Sequence, residues 1–188
     1  MKTKLIMILL LGLTISCNQS TKTQNSETNV SATEEAKIDT VTNQPKDTLA
    51  IVDPDFTFDP FAFGENPLQK LISIDNAGIN LQPHKNRHVE DQMDTIYQLK
   101  FGLDRFEIYK TASKNWLTEA HVLTDNFHTR HGVKIGMTKT EVKNRLNITS
   151  AESLPDYVRF EHSEVPEFMD LNFKNNKLQA IIFKGYLD

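Results

Sequence analysis

The sequence has one cysteine, Cys17, and no aromatic residue before Phe56. A single cysteine excludes an intrachain disulfide and any zinc site made of several cysteines. All sixteen aromatic residues lie at or beyond Phe56, so the first third of the chain has little large apolar surface with which to build a core. A folded domain is therefore expected only in the later part of the chain.

Positive charge is also scarce. The chain carries 21 lysine and arginine residues against 25 aspartate and glutamate residues, which gives a formal net charge of −4. Removal of an amino-terminal segment that contains Lys2 and Lys4 would bring the charge to about −6. Because nucleic-acid-binding domains favour basic surfaces, we expect no nucleic-acid partner.

Common catalytic sequence patterns are missing as well. The chain contains no Gly-x-Ser-x-Gly elbow, no His-Glu-x-x-His zinc motif, no Walker loop and no dinucleotide-binding fingerprint. The sequence therefore predicts a protein that is not an enzyme and that uses no cofactor.

Three histidines are the best metal-ligand candidates, although they match no metal-binding motif. His128 and His131 flank a Thr-Arg pair, and His121 lies about one strand length earlier. A zinc site requires three or four ligands held in one geometry. The alternative function is therefore a periplasmic metal-binding protein or metal-dependent enzyme that uses these three histidines. Otherwise they are solvated or hydrogen-bonded locally, and no metal binds.

The amino terminus has the pattern of a secretion signal. Two lysines precede the apolar run Leu5–Leu13, which is too short to span a bilayer comfortably. The run ends in Leu13-Thr14-Ile15-Ser16-Cys17, which resembles the lipobox of bacterial lipoproteins, although leucine is usual where Thr14 stands. The resemblance implies a signal peptide over residues 1–16 and a lipid-bearing Cys17, whose acyl chains would anchor the protein to a membrane. The other interpretation is an ordinary cleaved signal peptide with an incidental cysteine.

Residues 17–55 have the composition of a flexible tether. They are rich in Ser, Thr, Asn, Gln, Glu and Lys and contain no glycine and no aromatic residue. Such a segment cannot bury enough apolar surface to offset the entropy of ordering, and its reach is about 35 Å. Its first acidic residue is Glu27, whereas surface-exported lipoproteins often carry acids soon after the cysteine. We therefore expect anchoring to the outer membrane, facing the periplasm.

The segment Phe56–Phe63 places four phenylalanines in eight residues. One interpretation is an extended arm that packs onto the domain and closes its core, and the other is an exposed strip that docks a partner. Trp116, the only tryptophan, has the same two interpretations, as a packing residue or as an interface anchor. The candidate partner-binding residues are therefore Phe56, Phe58 and Trp116.

Two helix starts divide the later part of the chain. Asn66 and Pro67 suit the cap and first position of a short helix. A second helix is predicted from Thr138 to about Asn147, since Thr138 and Glu141 form a capping box. Strands are expected near residues 94–101, 105–111, 116–124, 156–162, 168–173 and 177–184, with a turn at Asn175-Asn176. Residues 76–86 are predicted to be a turn-rich connection.

The two helix starts are 72 residues apart, and apolar strand positions repeat at the same offset. Leu99 and Phe101 correspond to Leu171 and Phe173. This weak repeat divides a single domain, residues 56–188, into candidate halves 64–124 and 132–188. The predicted fold class is α+β, with a two-layer antiparallel sheet, two short helices and a duplicated helix-plus-meander unit as a candidate.

The second helix start also carries a family resemblance. The segment Ile135-Gly136-Met137-Thr138-Lys139-Thr140-Glu141-Val142, followed by a meander, resembles the helix start of the BamE (SmpA/OmlA) and beta-lactamase-inhibitor-protein-like envelope lipoproteins. It covers about fifty residues, and those domains commonly place two helices before the sheet, whereas one is predicted here. The resemblance implies a small α+β module that binds other proteins at the cell envelope.

Replacing Cys17 with serine tests the lipid anchor. The Cys17→Ser variant should leave the membrane fraction, because a signal of this kind attaches the lipid to the cysteine sulfur. Fractionation of lysed cells measures the shift, and Ser20→Ala serves as a control that should stay with the membranes. Unchanged fractionation of Cys17→Ser would refute lipid anchoring.

Overall fold

A computed structural model of the chain describes residues 47–187. The signal peptide over residues 1–16, the lipidation site Cys17 and most of the predicted tether lie outside the described residues. Within them, eight strands and three short helices follow one another, so the fold class is α+β.

The elements have the following bounds. The helices are α1 (Pro54–Thr57), α2 (Pro67–Ile72) and α3 (Lys139–Arg145). The strands are β1 (Thr48–Val52), β2 (Gly78–Lys85), β3 (Met93–Phe101), β4 (Asp104–Lys110), β5 (Asn115–Val122), β6 (Tyr157–Glu161), β7 (Phe168–Lys174) and β8 (Lys177–Lys184). They form one sheet in the order β1-β6-β7-β8-β5-β4-β3-β2.

The sheet contains two runs of sequential antiparallel strands. Strands β2 to β5 form one run and β6 to β8 the other, and they join where β5 pairs with β8. At this join Ala120 lies opposite Phe183 and Val122 opposite Ile181, and all four residues are fully or almost fully buried. The two runs therefore share one continuous core.

Phe106 lies at the centre of an aromatic cluster in that core. Its ring lies 5.6 Å from the rings of Phe61 and Phe63, 6.0 Å from that of Phe101 and 4.6 Å from that of Phe127. Each fully buried large apolar side chain contributes about 1.5–3 kcal/mol relative to an exposed one. Three of the four phenylalanines of the arm are thus used for packing, because Phe56 and Phe61 are buried and Phe63 packs against the core.

The beginning of the folded part corrects two predictions. Residues 48–52 form β1 inside the region predicted as tether, and β1 pairs in parallel with β6, so the sheet is mixed and not wholly antiparallel. Ordering these residues costs about 1–2 kcal/mol each, and the parallel ladder and the packing of Leu49 and Ile51 against the core offset this cost. The domain therefore begins at or before Thr48 and not at Phe56.

Two further elements differ from the prediction. The turn-rich connection expected over residues 76–86 is wrong, because Gly78–Lys85 form the edge strand β2. The third helix, α1, is capped by Asp53, whose side chain accepts the Asp55 backbone N–H at 3.1 Å. Of the three helices, only α2 and α3 were predicted from the sequence.

The remaining elements agree with their predictions. Asn66 caps α2 by accepting the Gln69 N–H at 3.1 Å. Asn175 and Asn176 both have positive φ, 52° and 62°, as a tight primed turn between antiparallel strands requires. Gly136, with φ of 88°, takes a left-handed conformation just before α3.

The capping box of α3 is formed as predicted and can be tested by substitution. The Thr138 hydroxyl accepts the Glu141 N–H at 3.2 Å, and the Glu141 carboxylate accepts the Thr138 N–H at 2.7 Å. Thr138→Ala should lower the free energy of unfolding by about 1 kcal/mol. Urea unfolding measures this, with exposed Thr140→Ala as the control that should change it little.

The pH dependence of the same box has a definite sign. Hydrogen bonds from Thr138 lower the pKa of the Glu141 carboxyl. The stabilising effect of the ionised Glu141 carboxylate is therefore present above the usual pKa of glutamate. This effect is lost as the pH falls through the lowered pKa of Glu141. Thr138→Ala removes only the hydroxyl bond to the carboxylate, so its destabilising effect should become smaller in acid. A constant difference at every pH would contradict that bond.

Candidate binding groove

Two of the three predicted partner-binding residues line one groove. Phe58 and Trp116 are 73% and 43% exposed, and both border a space of about 830 Å³ together with Tyr186. We call this space the aromatic groove, and its polar lining includes Asp59, Glu65, Asn66, Lys114, Asn115 and Glu167. The predicted Phe58 and Trp116, which are 58 residues apart in the sequence, therefore meet at one surface.

Phe56 corrects the third prediction. It is only 3% exposed, and its ring stacks on Phe160 at 3.9 Å and on His131 at 4.9 Å. Phe56 therefore anchors the arm in the core and is not available to a partner.

Phe58 owes its outward position to its neighbours in the chain. It follows α1 directly as the carboxyl-terminal cap, between the buried Thr57 and the half-buried Asp59. Its carbonyl oxygen accepts a hydrogen bond from Arg130 Nη1 at 2.7 Å, and Arg130 N donates to Pro60 O at 2.7 Å. The backbone of this segment is thus held on both sides of an exposed ring.

Asn115 ties the amino-terminal end of α2 to the beginning of β5. Its Oδ1 accepts the Leu68 backbone N–H at 3.0 Å, and its Nδ2 donates to Asn66 Oδ1 at 3.0 Å. Trp116 is the next residue, so its backbone is held where α2 meets the sheet.

A polar cluster supports the ring on which Trp116 packs. The indole stacks on Tyr109, with ring centroids 6.2 Å apart, and the Tyr109 hydroxyl donates to Asp94. Asp94 is buried and also accepts hydrogen bonds from Asn86 at 2.6 Å and Gln92 at 2.7 Å. The tryptophan therefore rests on a tyrosine that is fixed at its far end.

The ionisation of this cluster follows from the same contacts. The Tyr109 hydrogen bond, reinforced by Gln92 and Asn86, holds the pKa of Asp94 below its usual value, while the hydrogen bond to Asp94 and burial raise the pKa of Tyr109 to about 12. The Asp94 contribution to stability is thus present above the usual aspartate pKa and lost as the pH falls through the lowered one. The Tyr109 contribution is present below the usual tyrosine pKa and lost as the pH rises through about 12.

Gly185 closes the groove between β5 and the residues after β8. Its N–H donates to Thr118 O at 2.9 Å, and a Cβ placed on it would lie 2.7 Å from Leu117 O. Only glycine permits this close approach of two backbones without a shift, and the approach positions Tyr186 at the groove.

The three candidate metal ligands lie in different surroundings. His121 on β5 pairs with Glu119 at 2.9 Å, His128 Nδ1 lies 2.9 Å from Thr129 O, and His131 stacks on Phe56. Within residues 47–187, no group of three or more histidine, cysteine, aspartate or glutamate side chains could hold a metal ion. The grouping of His121, His128 and His131 is therefore wrong.

His121 instead lines a second recess of about 620 Å³ across β2 to β5. Lys100 and Arg105 lie beside His121 in neighbouring strands, while Glu107 and Glu119 lie two pairs further along the ladder. Glu119 also pairs with Lys184 at 3.2 Å, so positive and negative groups alternate here and the recess has no single dominant charge.

Tyr186 and Glu167 are groove residues that sequence reasoning missed. Tyr186 follows the last strand, and Glu167 directly precedes β7. Neither residue belongs to a local sequence motif. The only signal in the sequence was that Tyr186 is an aromatic residue just beyond the end of β8.

No family model, curated protein or solved structure matches the chain. The resemblance to the BamE and beta-lactamase-inhibitor-protein-like lipoproteins stays a prediction. No helix in the described part of the chain is long and apolar enough to cross a membrane.

The packing of Trp116 on Tyr109 can be tested by fluorescence. Tyr109→Ala should shift the Trp116 emission to longer wavelength, because the indole loses one covered face, whereas Tyr109→Phe retains the ring and should leave the emission nearly unchanged. Tyr109→Phe should still lower the free energy of unfolding by about 1–3 kcal/mol, since Asp94 loses a donor. Equal emission from the two variants would contradict the stacking.

Proposed function

We propose that the protein is a lipid-anchored lipoprotein of the bacterial envelope that binds another envelope protein and performs no catalysis. The anchor is Cys17, and the protein faces the periplasm from the outer membrane. The observation that carries the proposal is the meeting of exposed Phe58 and Trp116 in one groove. Partner binding or assembly is the role that this surface suits.

Exposed aromatic rings at a concave site are typical of protein interfaces. Tryptophan and tyrosine are enriched among the residues that contribute most to binding, particularly near the centre of an interface. Complete burial of the Phe58 ring alone would contribute about 1.5–3 kcal/mol. Because Trp116 and Phe58 have rigidly held backbones, little ordering cost opposes that gain.

The order of helices and strands favours the resemblance to the BamE and beta-lactamase-inhibitor-protein-like lipoproteins. In this proposal the domain is two-layered and duplicated, with each unit a helix followed by a meander. Two observations favour this: α2 precedes β2-β3-β4, whereas α3 precedes β6-β7-β8, and Pro67 and Lys139, the first residues of the two helices, are 72 positions apart.

The alternative function has less support. A metal-dependent protein requires ligands that converge, and His121, His128 and His131 each contact a different part of the structure. A small-ligand site between the arm and the sheet is disfavoured as well, because Phe56, Phe61 and Phe63 pack against or into the core.

Site-specific photo-crosslinking in intact cells tests the proposal. A benzophenone-bearing phenylalanine analogue is placed at Phe58 and, as a control, at Leu103, which is 65% exposed in the β3–β4 turn. We expect a reproducible adduct of one size from position 58 and none from position 103. Trp116→Ala should reduce the yield about tenfold, as expected for a loss near 1.4 kcal/mol.

The outcome that contradicts the proposal is equally specific. If positions 58 and 103 give the same adducts, or if Trp116→Ala leaves the yield from position 58 unchanged, the aromatic groove is not a protein-binding site.

A further inference from the structure

Glu167 is the one carboxylate of the aromatic groove that is half-buried and accepts no hydrogen bond from the described residues. Within residues 47–187, its side chain forms no hydrogen bond and no ion pair within 4.0 Å. Only its backbone groups are used, by Val165 and His162. Removing a carboxylate from water is costly, and here burial raises the pKa of Glu167. The charge of His162, which lies beyond 4.0 Å, only partly opposes this rise.

The other charged groups of the groove do not neutralise Glu167. Asp59 already accepts the N–H groups of Phe63 at 2.8 Å and Gly64 at 3.0 Å, and Glu65 is exposed. Lys114 is the only lysine or arginine in the lining, and it is exposed at the turn before β5. Three carboxylates therefore face one ammonium group, and the groove favours a positively charged ligand.

The aromatic lining favours the same kind of ligand. The faces of Phe58 and Trp116 carry negative electrostatic potential that attracts a cation within about 6 Å. A guanidinium group is planar, can stack on such a ring and can form two parallel hydrogen bonds with one carboxylate. An arginine side chain combines all three interactions.

The protein already uses this combination elsewhere. Arg159 lies 4.0 Å from the ring centroid of Phe168, and its Nε donates to Asp170 at 2.6 Å. Its Nη2 also donates to Asp170 at 2.8 Å. In the groove, the ring and the carboxylate are present, and the guanidinium is the missing component.

We propose that the aromatic groove binds an arginine side chain of the partner, with its guanidinium against Phe58 or Trp116 and paired with Glu167. This inference rests on the proposed function, since it names the chemistry of the partner at that same groove. The occupant is an exposed segment of another protein that presents one arginine.

Trp116 is the only tryptophan, so its fluorescence reports on the groove directly. The full chain in detergent micelles is titrated at mildly alkaline pH with a capped glycine–serine pentapeptide that has one central arginine. The matched peptide replaces arginine with citrulline, which is neutral and nearly isosteric. We expect saturable binding of the arginine peptide and about tenfold weaker binding of the citrulline peptide.

Two variants assign the effect to the carboxylate. Glu167→Gln should weaken binding of the arginine peptide to the level of the citrulline peptide, whereas the exposed Glu164→Gln, in the same loop, should leave it unchanged. Circular dichroism and the Trp116 emission without peptide establish that both variants are folded.

Three results would overturn the inference: no saturable binding of the arginine peptide, equal binding of the two peptides, or no loss in Glu167→Gln. The cross-linking experiment fails independently of this one. A specific adduct at Phe58 together with equal binding of the two peptides would support the protein-binding function and refute the arginine site. Arginine-selective peptide binding without an adduct would support the arginine site and refute the protein-binding function.

Discussion

The pairing of β5 with β8 is the interaction on which the rest of the fold depends. It joins β2 to β5, which form one antiparallel run, to β6, β7 and β8, which form the other. The four paired positions, Glu119 to Val122 against Lys184 to Ile181, include the buried Ala120 and Phe183. The aromatic groove opens at the end of this join, because Trp116 is the second residue of β5 and Tyr186 follows β8. Any weakening of the join would separate the groove walls as well as the core.

The treatment of buried carboxylates distinguishes the groove from the rest of the domain. Asp94, Asp104 and Asp170 are nearly inaccessible, and each receives at least three hydrogen bonds. Such satisfaction is the rule for buried polar groups, since an unmade hydrogen bond costs about 1–3 kcal/mol. Glu167 differs from these three, because it is only half-buried and accepts no hydrogen bond within residues 47–187. Its carboxylate therefore stays open to solvent beside the exposed rings of the groove.

Local chemistry determined which elements could be predicted from the sequence. The capping box at Thr138 and the turn at Asn175-Asn176 depend on neighbouring residues, so α3 and the β7–β8 hairpin were predicted correctly. Strand β1 was missed because its partner, β6, is over a hundred residues away and because no aromatic residue marks it. Strand β2 was missed because it contains Pro83, and proline inside a strand fits mainly at a sheet edge, which the sequence does not identify.

The candidate site was predictable only as separate residues. Four phenylalanines in eight residues and a single tryptophan suggested Phe58 and Trp116, but their place in one groove depends on long-range packing of the arm. The burial of Phe56 has the same cause, since alternation along a short arm does not reveal which ring faces the core. Glu167 becomes distinctive only because its half-buried carboxylate accepts no hydrogen bond from the described residues, which no sequence pattern can show.

Pro83 has a consequence for the outer edge of the sheet. Asn86 N donates to Gln92 O at 2.9 Å in the continuing β2–β3 register, so the even-numbered residues of β2 bond to β3 and the odd-numbered ones face away. Pro83 is one of the latter, and it has no amide hydrogen to offer. A foreign strand that aligned along β2 would find donors at Ile79 and Leu81 and then a gap. The edge thus resists templated growth into larger aggregates.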